Sequence, residues 1–383
     1  MRLQVTHTRL LPVAALAAAF ASPAVSVRAG VDDPTVSYTF EQYSDVNGVT
    51  VYGHYVATTM RVLSDLGLSM QWAHDRVVFP AIDAPAGSQE AIDAITTASR
   101  PISATANPYE DYVKSRNSIE TTATFHGTSL GYYVSVESDY FAQMLTLGFN
   151  HGFIGDNLNL STAASYSWDS ITPLADDDTQ GMPDYRRTMH WNIVATQVLT
   201  PTTTARAGTE FNHVRGLQQD PYRNVYVAGT NVPENHPDDR MRRDFFASVN
   251  QYITNRSSLN LDYRYYNDDW GVASHAIGLK LNQYVTDDLV FRYRYRYYTQ
   301  GAAMFYRDEY TQSGGVNGYM TGDYRLSDFG ANLFGGRIQW HTGRLLEHIG
   351  ISAPAQLMFS YERYFNSNNF SANVVETGLL IAF

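Results

Sequence analysis

The stretch Phe291-Arg292-Tyr293-Arg294-Tyr295-Arg296-Tyr297-Tyr298 sets three arginines at alternate positions. In an extended chain successive side chains point to opposite faces, so the three guanidiniums share one side and the intervening rings the other. Guanidinium offers a planar array of donors that suits carboxylate and phosphate, so such a face is expected to select or orient anions if it meets water. If it is dry, the arginines must pair with acids and form a structural ladder, because an unpaired buried charge is costly. Arg294→Glu is then expected to change ion selectivity in the first case and stability in the second. Other chemistries have thinner support. Eleven histidines include no H-E-x-x-H, and only His213 and His236, flanking one loop, are placed to meet. Asp176-Asp177-Asp178 and Asp238-Asp239 offer carboxylates for calcium or for divalent bridges to lipopolysaccharide, but the triplet lacks the spacing and glycine of a calcium loop. Ser129, His54 and the loop acids are the raw material for a hydrolase, and no G-x-S-x-G or comparable signature surrounds them. The chain has no cysteine, which removes disulfides, thiolate metal sites and cysteine nucleophiles together. Neither a catalytic role nor a metal or other cofactor is expected.

The 383 residues hold 27 Lys and Arg against 38 Asp and Glu, a net charge of -11, and the only lysines are Lys114 and Lys280. With no basic tract, nucleic acid is not an expected partner. Beyond the N-terminus there is no run of 18 apolar residues, so the chain is no helical-bundle membrane protein. Residues 1–29 carry Arg2 and Arg9, the apolar run Leu10 to Phe20 and then small residues, without an acid. This pattern is that of a secretory signal peptide, cut after Val27-Arg28-Ala29 or, in competition, after Ser22-Pro23-Ala24. An anchor would need about 20 apolar residues and finds about half that.

From Val36 onward apolar and polar residues alternate over segments of about ten residues, the period of a strand. Val36, Tyr38 and Phe40 oppose Ser37, Thr39 and Glu41; Leu259, Leu261, Tyr263 and Tyr265 oppose Asn260, Asp262, Arg264 and Tyr266. Strands are predicted near 35–43, 49–60, 66–79, 114–125, 128–138, 140–152, 156–168, 187–199, 203–214, 242–254, 257–267, 272–284, 288–299, 330–341, 355–365 and 371–383. Short links such as His126-Gly127 and Asn255-Arg256 alternate with longer ones at 80–113, 170–186, 217–240 and 300–329. The link 342–354 is long for its side and is expected to hold a helical turn at Leu345 to His348. The fold class is all-β: a transmembrane up-and-down antiparallel β-barrel of about 16 strands with short periplasmic turns and long extracellular loops, residues 30–383 forming one domain. A soluble sandwich shows the same period, but its strands average five or six residues, and those predicted here sit nearer the 9 to 11 needed to cross a bilayer.

The chain ends Glu376-Thr377-Gly378-Leu379-Leu380-Ile381-Ala382-Phe383. Gly378, Ile381 and the terminal Phe383 resemble the insertion signal of Gram-negative outer-membrane barrels, which implies the barrel-assembly machinery as a partner and the bacterial outer membrane as the location. The arginine strand, Ala303-Met304-Phe305-Tyr306, Gly322-Asp323-Tyr324-Arg325-Leu326-Ser327, and Ser360-Tyr361-Glu362-Arg363-Tyr364 with Phe370-Ser371-Ala372-Asn373 are similar to a Tyr- and Arg-rich family of bacterial outer-membrane proteins catalogued as a domain of unknown function. That resemblance implies the fold and the location but no activity.

Turning apolar faces to lipid sends inward the bases Arg116, Arg206, Arg242, Arg264, Lys280, Arg292, Arg294, Arg296 and Arg337, and the acids Glu41, Asp75, Glu120, Glu137, Glu210, Asp244, Asp262, Glu362 and Glu376. All these bases except Arg116 fall on the ninth to fourteenth strands, and Glu41, Asp75, Glu120, Glu137, Glu362 and Glu376 on the arc formed by the last two and first five. Opposed basic and acidic walls would select small polar or charged solutes in a porin-like channel. The other reading is a plugged barrel serving as an envelope scaffold or docking protein, with the aromatic loop 300–329 (Phe305, Tyr306, Tyr310, Tyr319, Tyr324, Phe329) folded inward and a periplasmic partner left open. Trp72, Trp168, Trp191, Tyr263, Tyr297 and Trp340 are expected to face outward as interfacial girdles against outer-membrane lipid and lipopolysaccharide.

Overall fold

The computed structural model describes residues 34–79, 112–174, 181–310, 315–342 and 354–383. The signal segment 1–29, most of loop 80–113, Asp176 to Asp178 and the helical turn expected at Leu345 to His348 lie outside the described residues.

Sixteen antiparallel strands close into a barrel. In chain order they begin β1 (Thr35–Asp45), β2 (Thr50–Leu63), β3 (Leu66–Phe79), β4 (Tyr112–Phe125), β5 (Thr128–Val136), β6 (Tyr140–Phe153), β7 (Leu158–Ile171), β8 (Asp184–Thr200) and β9 (Thr203–Gly216). A small separate hairpin follows, β10 (Asn224–Val227) with β11 (Thr230–Pro233). The barrel resumes with β12 (Asp239–Ile253), β13 (Ser257–Asp268), β14 (Ala273–Tyr284), β15 (Leu289–Gln300), β16 (Phe329–His341), β17 (Ala355–Asn366) and β18 (Ser371–Ala382). Each barrel strand pairs with the next in the wall, β9 with β12, and β18 returns to β1 in a register running from Thr35 opposite Ala382 to Asp45 opposite Ala372. Closure leaves no unpaired edge, which is what a sheet needs where no water can satisfy its backbone.

The side chains obey the alternation. On β15, Tyr293 and Tyr297 are exposed on the outer surface while Arg292, Arg294, Arg296 and Tyr298 point inward. Tight turns at one end, such as His126-Gly127 with positive φ at both residues, are the left-handed two-residue hairpins that suit the twist of paired strands. Both ends of the barrel chain lie at this same end, hereafter the terminal end, which faces the periplasm in the outer-membrane arrangement. The other, the loop end, carries the links 137–139, 172–183, 217–238, 269–272 and 301–328.

Two features differ from expectation. The hairpin β10–β11 was absent from the predicted strands, because two four-residue strands around Ala228-Gly229 are too short to show a period. Several barrel strands also run past their predicted limits at the loop end, β8 beginning at Asp184 rather than 187 and β12 at Asp239 rather than 242.

Candidate functional site

The interior of the barrel is two environments stacked end to end. At the loop end the inward side chains are buried. Tyr43, Val51, Val77, Phe79, Tyr298, Leu333, Tyr364 and Val374, from β1, β2, β3 and β15 to β18, form one apolar cluster inside the barrel. Beside it lie matched charges. Asp75, fully buried, accepts from Arg116 Nε at 3.0 Å and from the Tyr55 hydroxyl at 2.7 Å. Lys114 sits between Glu137 at 3.1 Å and Asp139 at 2.7 Å. Arg186 meets Asp169 and Tyr140, and Arg240 donates Nε–H to Asp268 at 2.9 Å while lying 3.9 Å from the centre of the Trp270 ring. Burial of such pairs is tolerable because each charge has its counter-charge and further hydrogen bonds.

Described parts of two long loops pack over this layer. Loop 301–328 returns across the mouth, and its Tyr324 packs on the apolar cluster, 5.6 Å from the ring of Phe370. Phe305, 1% exposed, anchors a second cluster with Tyr266, Trp270, Val272, Ala303 and Leu326. Loop 217–238 is stitched to it by paired backbone bonds between Asn235 and Met320, at 3.1 and 2.9 Å, and by Glu234, which accepts from Thr321 Oγ1 at 3.0 Å and the Gly322 amide at 2.8 Å. Arg223 reaches Asp323 at 3.3 Å and Asp220 and Glu234 at 3.6 Å. Burial pushes the Glu234 carboxyl up to about 7, with Arg223 pulling the other way. Burial likewise pushes His236, wedged against Trp270 and Phe305, down to about 3, so it is neutral. For Asp323 burial would raise the carboxyl, but Arg325 and Arg223 outweigh it and hold it well below the usual carboxylate range.

Toward the terminal end the inward face opens and becomes polar: Ser37, Thr39, Ser69, Gln71, Thr122, Thr146, Asn159, Ser161, Asn192, Thr204 and Ser258 are all only partly covered. The predicted basic wall straddles this change. Arg242 is buried near the loop end, and Arg264 reaches Asp244 at 3.3 Å and Glu210 at 3.5 Å. Arg206 and Arg264 flank the Phe246 ring, each 5.4 Å from its centre. Lys280, Arg292, Arg294, Arg296 and Arg337 line adjoining strands β14 to β16 in the more open part.

The predicted acidic wall is not uniformly acidic. Asp75 and Glu137 are met within their own arc by Arg116 and Lys114. Glu362 and Glu376 adjoin the basic strands and bond Arg294 at 3.2 Å and Arg337 at 2.9 Å. Glu41 stands across the closing seam from Glu376, and Glu120 faces inward on β4 opposite Tyr133. Period 2 assigns a face, whereas the counter-charge of each acid depends on register between strands. The residues missed, Lys114, Asp139, Asp169, Arg186, Arg240 and Asp268, cluster at or just past the predicted strand limits, where the outer face is no longer apolar and the signal stops.

The outward residues Trp72, Trp168, Trp191, Tyr263, Tyr297 and Trp340 are each between 36% and 42% exposed. Of the closing strand, Gly378 faces inward against Met358 and Thr39, while Ile381 and Phe383 face outward. His213 and His236 do not meet: His213 lies on the outer face bonded to Asp239 at 3.0 Å, and His236 is buried under the loops. Asp239 is shared by His213 and Arg215. His54 points outward to the Tyr38 hydroxyl while Ser129 points inward, so the wall itself separates them.

No curated protein matches the sequence. Among solved structures the chain is similar to the loop L8 deletion mutant of OmpT, an outer membrane protein of Vibrio cholerae, with 9% identity, 92% of this chain and 98% of that one covered, and a TM-score of 0.44. It is also similar to a mutant of the ferric enterobactin receptor PfeA of Pseudomonas aeruginosa, with 11% identity, coverage of 87% and 53%, and a TM-score of 0.45. The siderophore receptor PirA of the same organism gives 9% identity, coverage of 87% and 56%, and a TM-score of 0.42. The chain spans about half the length of these two receptors. A family model described as "Protein of unknown function (DUF3570)" matches residues 8–348, nearly the whole chain, and the chain belongs to that family.

Proposed function

We propose that the protein is an outer-membrane barrel closed at rest at its loop end, with a polar vestibule entered from the terminal, periplasmic side. The observation that carries this reading is the apolar cluster inside the loop-end mouth, on which Tyr324 of loop 301–328 packs. A dry layer of this kind blocks hydrated solutes, because an ion would have to shed its water without finding replacement ligands. The interlocked charges around Arg223 and Glu234 make the closure a folded unit rather than a loose constriction.

A porin-like channel is the second reading, favoured by the partly open, polar wall of the terminal half. In that case the loop pair acts as a gate. The reading includes no catalytic step, and insertion is assigned to the C-terminal strand through the barrel-assembly machinery.

Single-channel recording in planar bilayers separates the two. The intact protein is expected to be silent, and a variant with residues 303–326 replaced by a short Gly-Ser linker is expected to give discrete steps. Steps of full size from the intact protein would overturn the closed reading in favour of the channel.

A further inference from the structure

On β14, β15 and β16 the strand register sets like charges face to face. Arg292 stands directly opposite Arg337, and Lys280 directly opposite Arg294. Like charges in opposed positions destabilise a sheet, so an uncompensated arrangement is retained at a cost. Compensation here is partial. Glu362 binds Arg294 at 3.2 Å, Glu376 binds Arg337 at 2.9 Å, and Asp262 lies 3.9 Å from Lys280. Arg292 meets an amide instead of an acid, donating Nε–H to Asn282 Oδ1 at 2.7 Å. Arg296 has no hydrogen bond or salt bridge to any described residue.

The wall leaves two recesses, and acids fill them. Gly278 lies across from Arg296 on one side and Asp262 on the other, and Gly335 lies between Arg294 and Glu362. A Cβ at Gly278 would come within 2.5 Å of the Asp262 carboxylate, and one at Gly335 within 2.8 Å of Glu362 Cγ. The two carboxylates therefore occupy the space the missing side chains leave against the wall. The patch is not dry: the side chains of Lys280 and Arg337 are 38% and 22% exposed.

We propose that this patch binds small oxyanions carrying two negative charges, dicarboxylates or phosphates. The charge excess sets the class, since five bases of the patch face three acids and Arg292 and Arg296 are the two of those bases without a salt bridge to any described residue. Guanidinium geometry sets the chemistry, since its parallel N–H donors match two oxygens of a carboxylate or phosphate. Entry from the terminal end rests on the closed-barrel reading above; the site itself would survive in a conducting barrel.

The test is isothermal titration of the refolded full-length mature protein in neutral detergent micelles at pH 7.5. Inorganic phosphate and succinate are the probes, and sodium chloride at matched ionic strength is the control. Saturable heat is expected with at least one oxyanion, weakened tenfold or more in Arg292→Gln and in Arg296→Gln. Arg243→Gln, on the outer face, is expected to bind as the wild type does, and circular dichroism checks that each variant is folded. Phosphate without succinate would assign a phosphoryl ligand, and the reverse a carboxylate. Heat no greater than that of chloride, meaning charge screening only, would overturn the proposal, as would unchanged binding in the Arg292→Gln, Arg296→Gln double variant. Neither result depends on conductance, so this site and the closed barrel fail separately.

Discussion

At the loop end of the lumen Asp75, Asp169 and Asp268 each receive an arginine from an adjoining or nearby strand, and aromatic and aliphatic side chains fill the space between. Toward the terminal end Arg292 stands beside Arg337 on adjoining strands, where the inward face is half-open and rich in serine, threonine and asparagine. The same residue type thus plays two parts within one barrel. Where water is excluded, arginine is matched to an acid at Arg116, Arg186 and Arg240 and holds strands together, with Arg242 the buried exception. Where water remains, it can stay unmatched, because solvent and salt screen the repulsion.

The largest effect is expected from Arg116→Met, which leaves Asp75 buried with its charge uncompensated. The expected loss is about 3 to 5 kcal/mol, whereas Arg292→Met at the other end should be neutral or mildly stabilising. Urea unfolding in micelles, followed by tryptophan fluorescence, measures both, and equal costs would erase the distinction between dry and wet halves.

Next in size is Leu333→Ala, which empties a 2% exposed position in the apolar cluster. A cost of about 2 to 4 kcal/mol is expected, while Gln339→Ala, further along the same inward face of β16, should stay within about 0.5 kcal/mol. Similar values at the two positions would mean that the cluster is not packed as a core.

The closure itself is probed by pH. Glu234, raised to about 7 by burial, contributes stability that is full below its unfolded value of 4.5 and is lost as pH rises through about 7. His236, depressed to about 3 by burial, contributes stability that is full above 6.5 and is lost as pH falls through about 3. Their slopes oppose and largely cancel between 4.5 and 6.5. Hydrogen exchange at the Gly322 amide, which donates to Glu234, should therefore show protection that is flat across that window and falls above it. In His236→Phe the protection should rise steadily as pH drops from 6.5. An unchanged pH profile in that variant would remove His236 from the account.

The smallest effect expected is Arg296→Gln, within about 0.5 kcal/mol of the wild type in anion-free buffer. A loss of several times that would show that Arg296 has a structural partner and belongs with the loop-end arginines.

The alternation on β15 was enough to put Arg292, Arg294 and Arg296 on one face, since side-chain direction in a strand is set by the backbone two residues at a time. The sixteen strands, the inward set of charges and the outward Trp and Tyr residues were legible for the same reason. Loop 301–328 was legible only as aromatic. That Tyr324 enters the barrel mouth, that Glu234 ties Thr321 and Gly322 to loop 217–238, and that His213 and His236 lie on different sides of the wall depend on where chain segments some 20 to 90 residues apart come together.

By itself, then, the sequence determined the class of fold and which face each strand residue takes, because both follow from a local period and from the contrast between lipid and lumen. Partnership among the charges was decided only by the tertiary structure. Arg116 meets Asp75, Arg294 meets Glu362 and Arg292 meets no acid because barrel closure and register choose which side chains stand at the same height, and no local pattern carries that height.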